Sequence, residues 1–356
     1  MSASLPFLPP DSTIVLETTE VLRQAVRAHR SLAELKGAVT AIPNAAILVN
    51  TLALQEARDS SAIENIVTTQ DELYRSESDD AMNATGAAKE VHRYAQALHL
   101  GFDLLKRNGM LRTDDILAIH EVLCRTRMGF RKLPGTVLMN SVTNQVVYEP
   151  PQDPAEIERL ISNFLDWFHE SERWNVDPLV QMAVLHYQFE SIHPFYDGNG
   201  RTGRILNLLH MSLHGLLDLP VLYLSQAIVR RKDDYYRHLQ AVREHGAWEE
   251  WILYMLGAVE STARNTLQTV NAIRSLMSDV KHRLRTEQPK IYSQELLNNL
   301  FRHPYTRLEF VMDDCTISRP TAIKYLAILE LMGIISKVKV GRSNLYVNND
   351  LVKILT

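Results

Sequence analysis

The sequence predicts a mainly α protein with one short β-hairpin in its middle and a winged helix-turn-helix at its end. Three observations predict it. Apolar residues recur at helical spacing through most of the chain. A Val/Thr/Tyr-rich stretch at 136–148 breaks that pattern. From residue 281 three short helical segments precede two alternating segments around Gly341-Arg342-Ser343. The 356 residues correspond to two or three domains at roughly 150 residues each. Apolar residues at 46% and charged residues at 22% exclude a wholly disordered chain.

In order, residues 1–44 read as an extended leader and an amphipathic stretch from Thr18 to Gly37. Residues 45–107 read as helices, with a Ser/Asp/Asn-rich interruption near 76–85. Leu111 to Arg125 carries apolar residues at helical period, with Thr113 as its expected N-cap. The hairpin Thr136–Tyr148 has Asn144 at its centre and ends at Pro150-Pro151. A helix follows over 155–170. Asp177-Pro178 is an N-cap with proline at the first helical position, starting a helix to about Ser191. The next runs from about Arg201 to His214 and stops at Gly215. Helical periods then fill 233–244 and 248–277. The tail has helices at 294–300, 307–313 and 319–331, the last ended by Gly333, and strands at 334–340 and 344–348. The expected units are 1–107, 108–280 and 281–356.

The net charge of −4 hides an asymmetry: from Lys281 onward, 12 Lys/Arg stand against 7 Asp/Glu, so the remainder carries −9. A basic tail on an acidic body keeps DNA as a partner for the tail. Cys124 and Cys315 lie 191 positions apart, which excludes a disulfide framework. Met1–Val15 lacks a basic n-region, and no apolar run approaches the ~18 residues of a membrane span. A cytoplasmic protein without membrane contact is expected.

The most informative stretch is His193-Pro194-Phe195-Tyr196-Asp197-Gly198-Asn199-Gly200-Arg201-Thr202-Gly203-Arg204, between two helices. Gly-Asn-Gly lets successive backbone amides face one way as an anion nest, and the following helix adds its positive N-terminal end. Arg201 and Arg204, three positions apart, can face a polyphosphate together. Asp197 can hold Mg²⁺, and His193 is the group with a pKa near neutrality, hence a general base. Together these parts describe phosphoryl or nucleotidyl transfer.

This stretch matches the Fic motif, HPFxDGNGRxxR, and the chain resembles Fic proteins from about Asn44 to Leu256. The resemblance implies a Fic-type helical core and an enzyme that moves AMP from ATP to a Ser, Thr or Tyr hydroxyl of a target protein, releasing pyrophosphate. By the same resemblance, His193 is the base and Asp197 holds Mg²⁺ or Mn²⁺. Gly198, Asn199, Gly200, Arg201, Thr202, Gly203 and Arg204 bind the phosphates of ATP, and Phe195 anchors the loop. Tyr235 and Tyr236 sit where the family places aromatics beside adenosine, unless they only pack their helix. Arg243, two turns on, is a further candidate for the same ATP pocket. The hairpin, with Val146, Val147 and Tyr148, occupies the place of the family's flap, which docks a target strand. It follows Gly129-Phe130-Arg131, similar to the family's G-x-R lead-in.

Ser60-Ser61-Ala62-Ile63-Glu64-Asn65 resembles the inhibitory motif, (S/T)xxxE(G/N), in the N-terminal arrangement called class II. The resemblance implies that Glu64 pairs with Arg204 where the γ-phosphate would bind. Ser61 and Glu64 also have the spacing of a helix capping box. His210, His214 and Asp218 have zinc spacing without a third strong ligand, so packed histidines are favoured. Lys281, Arg283, Arg285 and Lys290 form a basic junction or a solvated linker. Three functions stay open: an ATP-dependent protein adenylyltransferase that also modifies itself; a DNA-binding regulator with a sensory core; and an enzyme of this fold that transfers another nucleotide moiety or removes AMP. A homodimer is the expected assembly, and the target protein is unspecified.

Overall fold

The computed structural model describes residues 5–42, 44, 46–69, 72–73, 85–139, 145–170, 174–340 and 343–355. The N-terminal and central elements are α1 (Thr19–Thr40), α2 (Ala46–Ile63), α3 (Gly86–Asn108), α4 (Thr113–Cys124), β1 (Leu138–Met139), β2 (Val146–Tyr148), α5 (Pro154–His169), α6 (Pro178–Ile192), α7 (Asn199–Leu213), α8 (Ser225–Arg230), α9 (Lys232–His245) and α10 (Trp248–Glu287). The tail adds α11 (Gln294–Arg302), β3 (Tyr305–Thr306), α12 (Leu308–Cys315), α13 (Arg319–Leu331), β4 (Ser336–Val340), β5 (Ser343–Val347) and α14 (Asn349–Leu355).

The helices follow from their local chemistry. Thr18 caps α1 by accepting the Val21 N–H at 3.3 Å, and Asp177 caps α6 by accepting the Leu179 N–H at 2.8 Å. On α5 the apolar residues Ile157, Leu160, Ile161, Phe164, Leu165 and Phe168 form one buried stripe. On α6 every residue from Leu179 to Ile192 is buried, so it is the central helix, with α5, α7 and α10 packed around it. Helix α1 lies along α10, and α3 packs on α2, α4 and α7. Gly101 is where α3 and α7 approach closely: a Cβ there would come 2.9 Å from Leu209 Cδ1.

Several local expectations change. Thr113 is the first residue of α4, not its cap; Arg112 is the N-cap, and its backbone N–H donates to Asp115 Oδ2 at 2.9 Å. The hairpin survives as two short strands, with Leu138 opposite Tyr148, and its centre at Asn144 lies outside the described residues. Helix α10 runs past Met277 to Glu287 and so crosses the expected unit boundary at 280/281 without a break. Its stripe of Val270, Ile273, Met277, Val280 and Leu284 stays buried. Elements α8, β3 and α14 were not expected: at six, two and seven residues they are too short to show a period.

In the tail, the order is helix, strand, helix, helix, strand, strand, helix. The sheet order is β3-β5-β4, antiparallel throughout, with Tyr305 opposite Val347 and Lys337 opposite Tyr346. The tail also touches α2. Helix α11 packs on it, and Gln55 Nε2 donates to the Leu355 backbone oxygen of α14 at 2.6 Å.

Candidate functional site

The site is the turn between α6 and α7. His193 ends α6 in the left-handed region, with φ 48°, and its N–H donates to the Phe189 oxygen at 3.0 Å. Phe195 is fully buried and stacks on His120, with ring centroids 3.6 Å apart. His120 in turn hydrogen-bonds the Asp197 backbone oxygen at 2.9 Å. Gly198 precedes α7 with φ 74°, and any Cβ there would come 2.5 Å from Cys124 Sγ. Arg131 is a buried clamp from outside the motif. Its Nε donates to the His193 oxygen at 2.7 Å, its Nη2 reaches the Ile192 and Pro151 oxygens, and its N–H donates to the Pro194 oxygen at 2.8 Å. The expected lead-in to the flap therefore also fixes the base-bearing turn.

Burial, followed by the nearby Arg131 charge, pushes the His193 imidazole down to about 4. At neutral pH the ring is uncharged, and its Nδ1 is buried without a hydrogen-bond partner. This is the state that a proton acceptor requires. Asp197 is 79% exposed in its side chain; Oδ1 accepts the Gly198 N–H at 2.7 Å and Oδ2 stands 3.4 Å from Arg201 Nη2. The first N–H groups of α7 have no intrahelical acceptor and are free to receive an anion.

Both arginines are held by carboxylates. Arg204 is 2% exposed; its Nε donates to Ser60 Oγ at 2.7 Å, and its Nη2 donates to the Ser60 backbone oxygen at 3.0 Å and to Glu64 Oε1 at 2.8 Å. Arg201 is 3% exposed, with Nε on Glu64 Oε2 at 3.0 Å and Nη1 on Glu90 Oε2 at 2.9 Å. Glu64 thus spans both guanidiniums. The capping-box reading of Ser61 and Glu64 does not hold, because α2 ends at Ile63 and the pair lies at a helix C-terminus. Asn65 has φ 65°, and its Oδ1 accepts from Lys232 Nζ at 3.0 Å, tying the end of α2 to α9. One turn before Ser60, Glu56 anchors α2 from behind. It accepts hydrogen bonds from the Ser225 N–H at 2.9 Å, the Ser225 hydroxyl and the Tyr94 hydroxyl at 3.1 Å. Burial pushes its carboxyl up to about 8.

A cleft of about 730 Å³ opens over the turn. Its walls include His193, Asp197, Gly198, Asn199, Gly200, Arg204, Glu64, Asn65, Tyr235, Tyr236 and Arg243, together with Val147 from the hairpin. Most of the expected residues therefore converge. Others do not reach it. Thr202 donates to the Gly198 oxygen at 2.8 Å and is fully buried, and Gly203 packs against α6, so neither lines the cleft. The Asn199 side chain is spent on Phe195, with both amide atoms at 2.8 Å from its backbone, so Asn199 offers a ligand only its backbone. Tyr148 turns inward: its hydroxyl donates to the Ser191 oxygen at 3.0 Å, and the Arg243 guanidinium lies 4.0 Å from its ring centroid. Val146 and Val147 are exposed. Tyr235 is buried with its hydroxyl on His186 Nε2 at 2.9 Å, whereas Tyr236 is half exposed.

The histidines with zinc spacing pack instead. His210 is buried, with Nε2 on the Pro178 oxygen at 3.0 Å, while Asp218 pairs with Lys36 at 2.9 Å. Among the described residues no cluster of three or more metal-ligating side chains occurs, and no helix is long and apolar enough to cross a membrane. Glu90, Glu56 and Glu190 were not foreseen; none belongs to a spacing pattern, and only folding brings Glu90 to Arg201, Glu56 to Ser225 and Glu190 to the cleft wall.

Three family models match the chain in succession. They are the Fic/DOC family N-terminal model over residues 22–103, the Fic/DOC family model over 110–211, and the C-terminal domain of protein adenylyltransferase SoFic-like over 276–351. Among curated proteins, protein adenylyltransferase fic-1 of Caenorhabditis elegans is 27% identical over 172 residues, 47% of this chain and 33% of the relative. Protein adenylyltransferase Fic of Nematostella vectensis is 28% identical over 161 residues, 45% of this chain and 35% of the relative. The chain spans about a third of the length of the curated relatives it matches. Among solved structures, a Fic family protein from Desulfovibrio desulfuricans has a TM-score of 0.54 at 23% identity, covering 91% of this chain and 95% of that one. Fic-1 from C. elegans gives 0.53 at 23% identity, covering 70% and 73%. These two share the fold. With the motif, the cleft and three consecutive domain matches in agreement, the chain belongs to the Fic/DOC family.

Proposed function

We propose that the protein is an ATP-dependent protein adenylyltransferase whose resting state is held inactive by Glu64. The observation that carries this reading is the neutral, partly buried imidazole of His193 beside the first amides of α7, in one cleft with Arg204. The target hydroxyl gives its proton to His193 as its oxygen attacks the α-phosphorus of ATP. The bond from the α-phosphorus to the bridging oxygen breaks, and pyrophosphate leaves. The α7 N-terminus and the arginines bind the phosphate charge. Asp197 suits Mg²⁺ or Mn²⁺: it is an exposed carboxylate at the mouth of the anion nest, and such ions take one or two carboxylates plus phosphate oxygens. When bound there, the ion would neutralise charge on the phosphates.

Inhibition follows from charge competition. Arg204 cannot serve Glu64 and a γ-phosphate together. The exposed edge at Val146 and Val147 beside the cleft supports docking of a target strand. The test is incubation of wild type, Glu64→Gly and His193→Ala with ATP and Mg²⁺, read by intact mass. A gain of AMP on Glu64→Gly, a smaller one on wild type and none on His193→Ala is expected. Equal labelling of His193→Ala would overturn the assignment of the base.

The tail, 281–356, is read as a winged helix-turn-helix on its strand and helix order. On α13, Arg319, Ile323 and Lys324 are exposed, and Lys337 and Lys339 are exposed on β4. This basic face supports a DNA contact, and salt-dependent binding to a duplex fragment tests it. The free cysteines fit a reducing cytoplasm.

A further inference from the structure

We propose that Glu190 is a specificity-determining residue of the cleft, whose carboxyl accepts a hydrogen bond from a donor group on the nucleoside part of the bound nucleotide. The inference rests on the nucleotide reading above.

Glu190 is 9% exposed, stands one turn before His193 on α6, and forms part of the cleft wall. Its Oε1 is buried without a hydrogen-bond partner, and among the described residues it joins no ion pair. Opposite it, α7 carries no side chain: a Cβ on Gly203 would come 2.8 Å from that oxygen. A buried carboxyl oxygen without a partner is costly whether the group is charged or neutral, and such atoms in native proteins call for an explanation. Burial pushes it up to about 7, opposed by Arg204 and Arg243 and reinforced by Glu64.

The chemistry of the missing partner follows from those neighbours. An ionised carboxyl would repel a phosphate, for which the nucleotide reading already provides the α7 amides and Arg204. What a carboxyl between guanidiniums can take is an N–H or O–H. A bound nucleoside offers three such groups: the ribose 2′ and 3′ hydroxyls and the exocyclic amine of adenine. Tyr235 and Tyr236 line the same cleft and bound the space in which a nucleoside lies.

The experiment measures dissociation constants by calorimetry in the Glu64→Gly background, with Glu190 intact, Glu190→Ala or Glu190→Gln. The probes are ATP, 2′-deoxy-ATP, 3′-deoxy-ATP and the triphosphate of purine riboside. One analogue should bind the Glu190 protein roughly 10- to 100-fold more weakly than ATP. Glu190→Ala should bind ATP and that analogue equally, while keeping its response to the other two. Glu190→Gln, which retains shape and an acceptor oxygen, should keep part of the discrimination and carries the test if the alanine variant unfolds. A merely structural role would lower the melting temperature without erasing discrimination against one analogue alone. Unchanged discrimination in both variants overturns the proposal while leaving nucleotide binding standing. Failure of every nucleotide to bind overturns the nucleotide reading and this one with it.

Discussion

Replacing Glu64 by Gln should convert a resting enzyme into an active one, and the structure sets the size of the effect. Glu64 accepts two charge-assisted hydrogen bonds, at 2.8 Å from Arg204 Nη2 and 3.0 Å from Arg201 Nε. Bonds to charged groups are worth about 1.5–3 kcal/mol each. The Glu64 side chain keeps 23% of its exposure, so solvent screens part of this, leaving about 2–3 kcal/mol for the pair of contacts. At 1.4 kcal/mol per tenfold, the population with Arg204 free for phosphate should rise roughly 30- to 150-fold. The assay is the initial rate of self-modification with labelled ATP, followed alongside the melting temperature. Removing the carboxylate leaves a buried guanidinium with only Ser60, so the variant should melt lower than wild type without nucleotide. ATP should raise its melting temperature more than that of wild type. A rate within twofold of wild type, in both Glu64→Gln and Glu64→Gly, would refute the competition argument.

The remaining predictions concern the base, the turn and the anchors of α2. His193→Ala should lower the transfer rate by roughly 10²- to 10⁴-fold, and the wild-type acid limb should lie near pH 4 rather than 6.5, because the ring loses its proton above about 4. Gly198→Ala should cost about 1–3 kcal/mol in urea unfolding, since φ 74° and the Cys124 sulfur both oppose a Cβ. The carboxyl of Glu56 is raised from 4.5 to about 8, so the folded state binds more protons between those values. Its contribution to stability is therefore full below about 4.5 and lost as the pH rises through 8. Glu56→Gln should flatten that decline in unfolding experiments from pH 5 to 9; an unchanged slope would exclude Glu56 as its source. Gln55→Ala removes the side-chain hydrogen bond to the Leu355 carbonyl and should loosen the tail from α2, costing about 0.5–1.5 kcal/mol. If the tail steadies the helix that carries Glu64, self-modification should also rise.

The sequence by itself determined the parts whose meaning is local. Asp177-Pro178 starts α6, and Gly215 stops the chain after α7, because caps and breakers act within one turn. The stretch 193–204 declares a nest, a base and two arginines, because a turn and the first turn of a helix are built from consecutive residues. Ser60 and Glu64 were legible only through resemblance to a known motif, since their spacing alone equally suggests a cap. Tertiary structure decided the rest. It placed that spacing at the end of α2 against an arginine 140 positions away. It buried the Asn199 amide on Phe195 and turned Tyr148 inward, so that residues within the motifs differ in what they offer a ligand. It also brought Glu90 to Arg201, Glu56 to Ser225 and Glu190 to the cleft wall. No periodicity marks these acids, because a long-range ion pair or a buried carboxyl depends on which helix faces pack together, and only the folded chain fixes that.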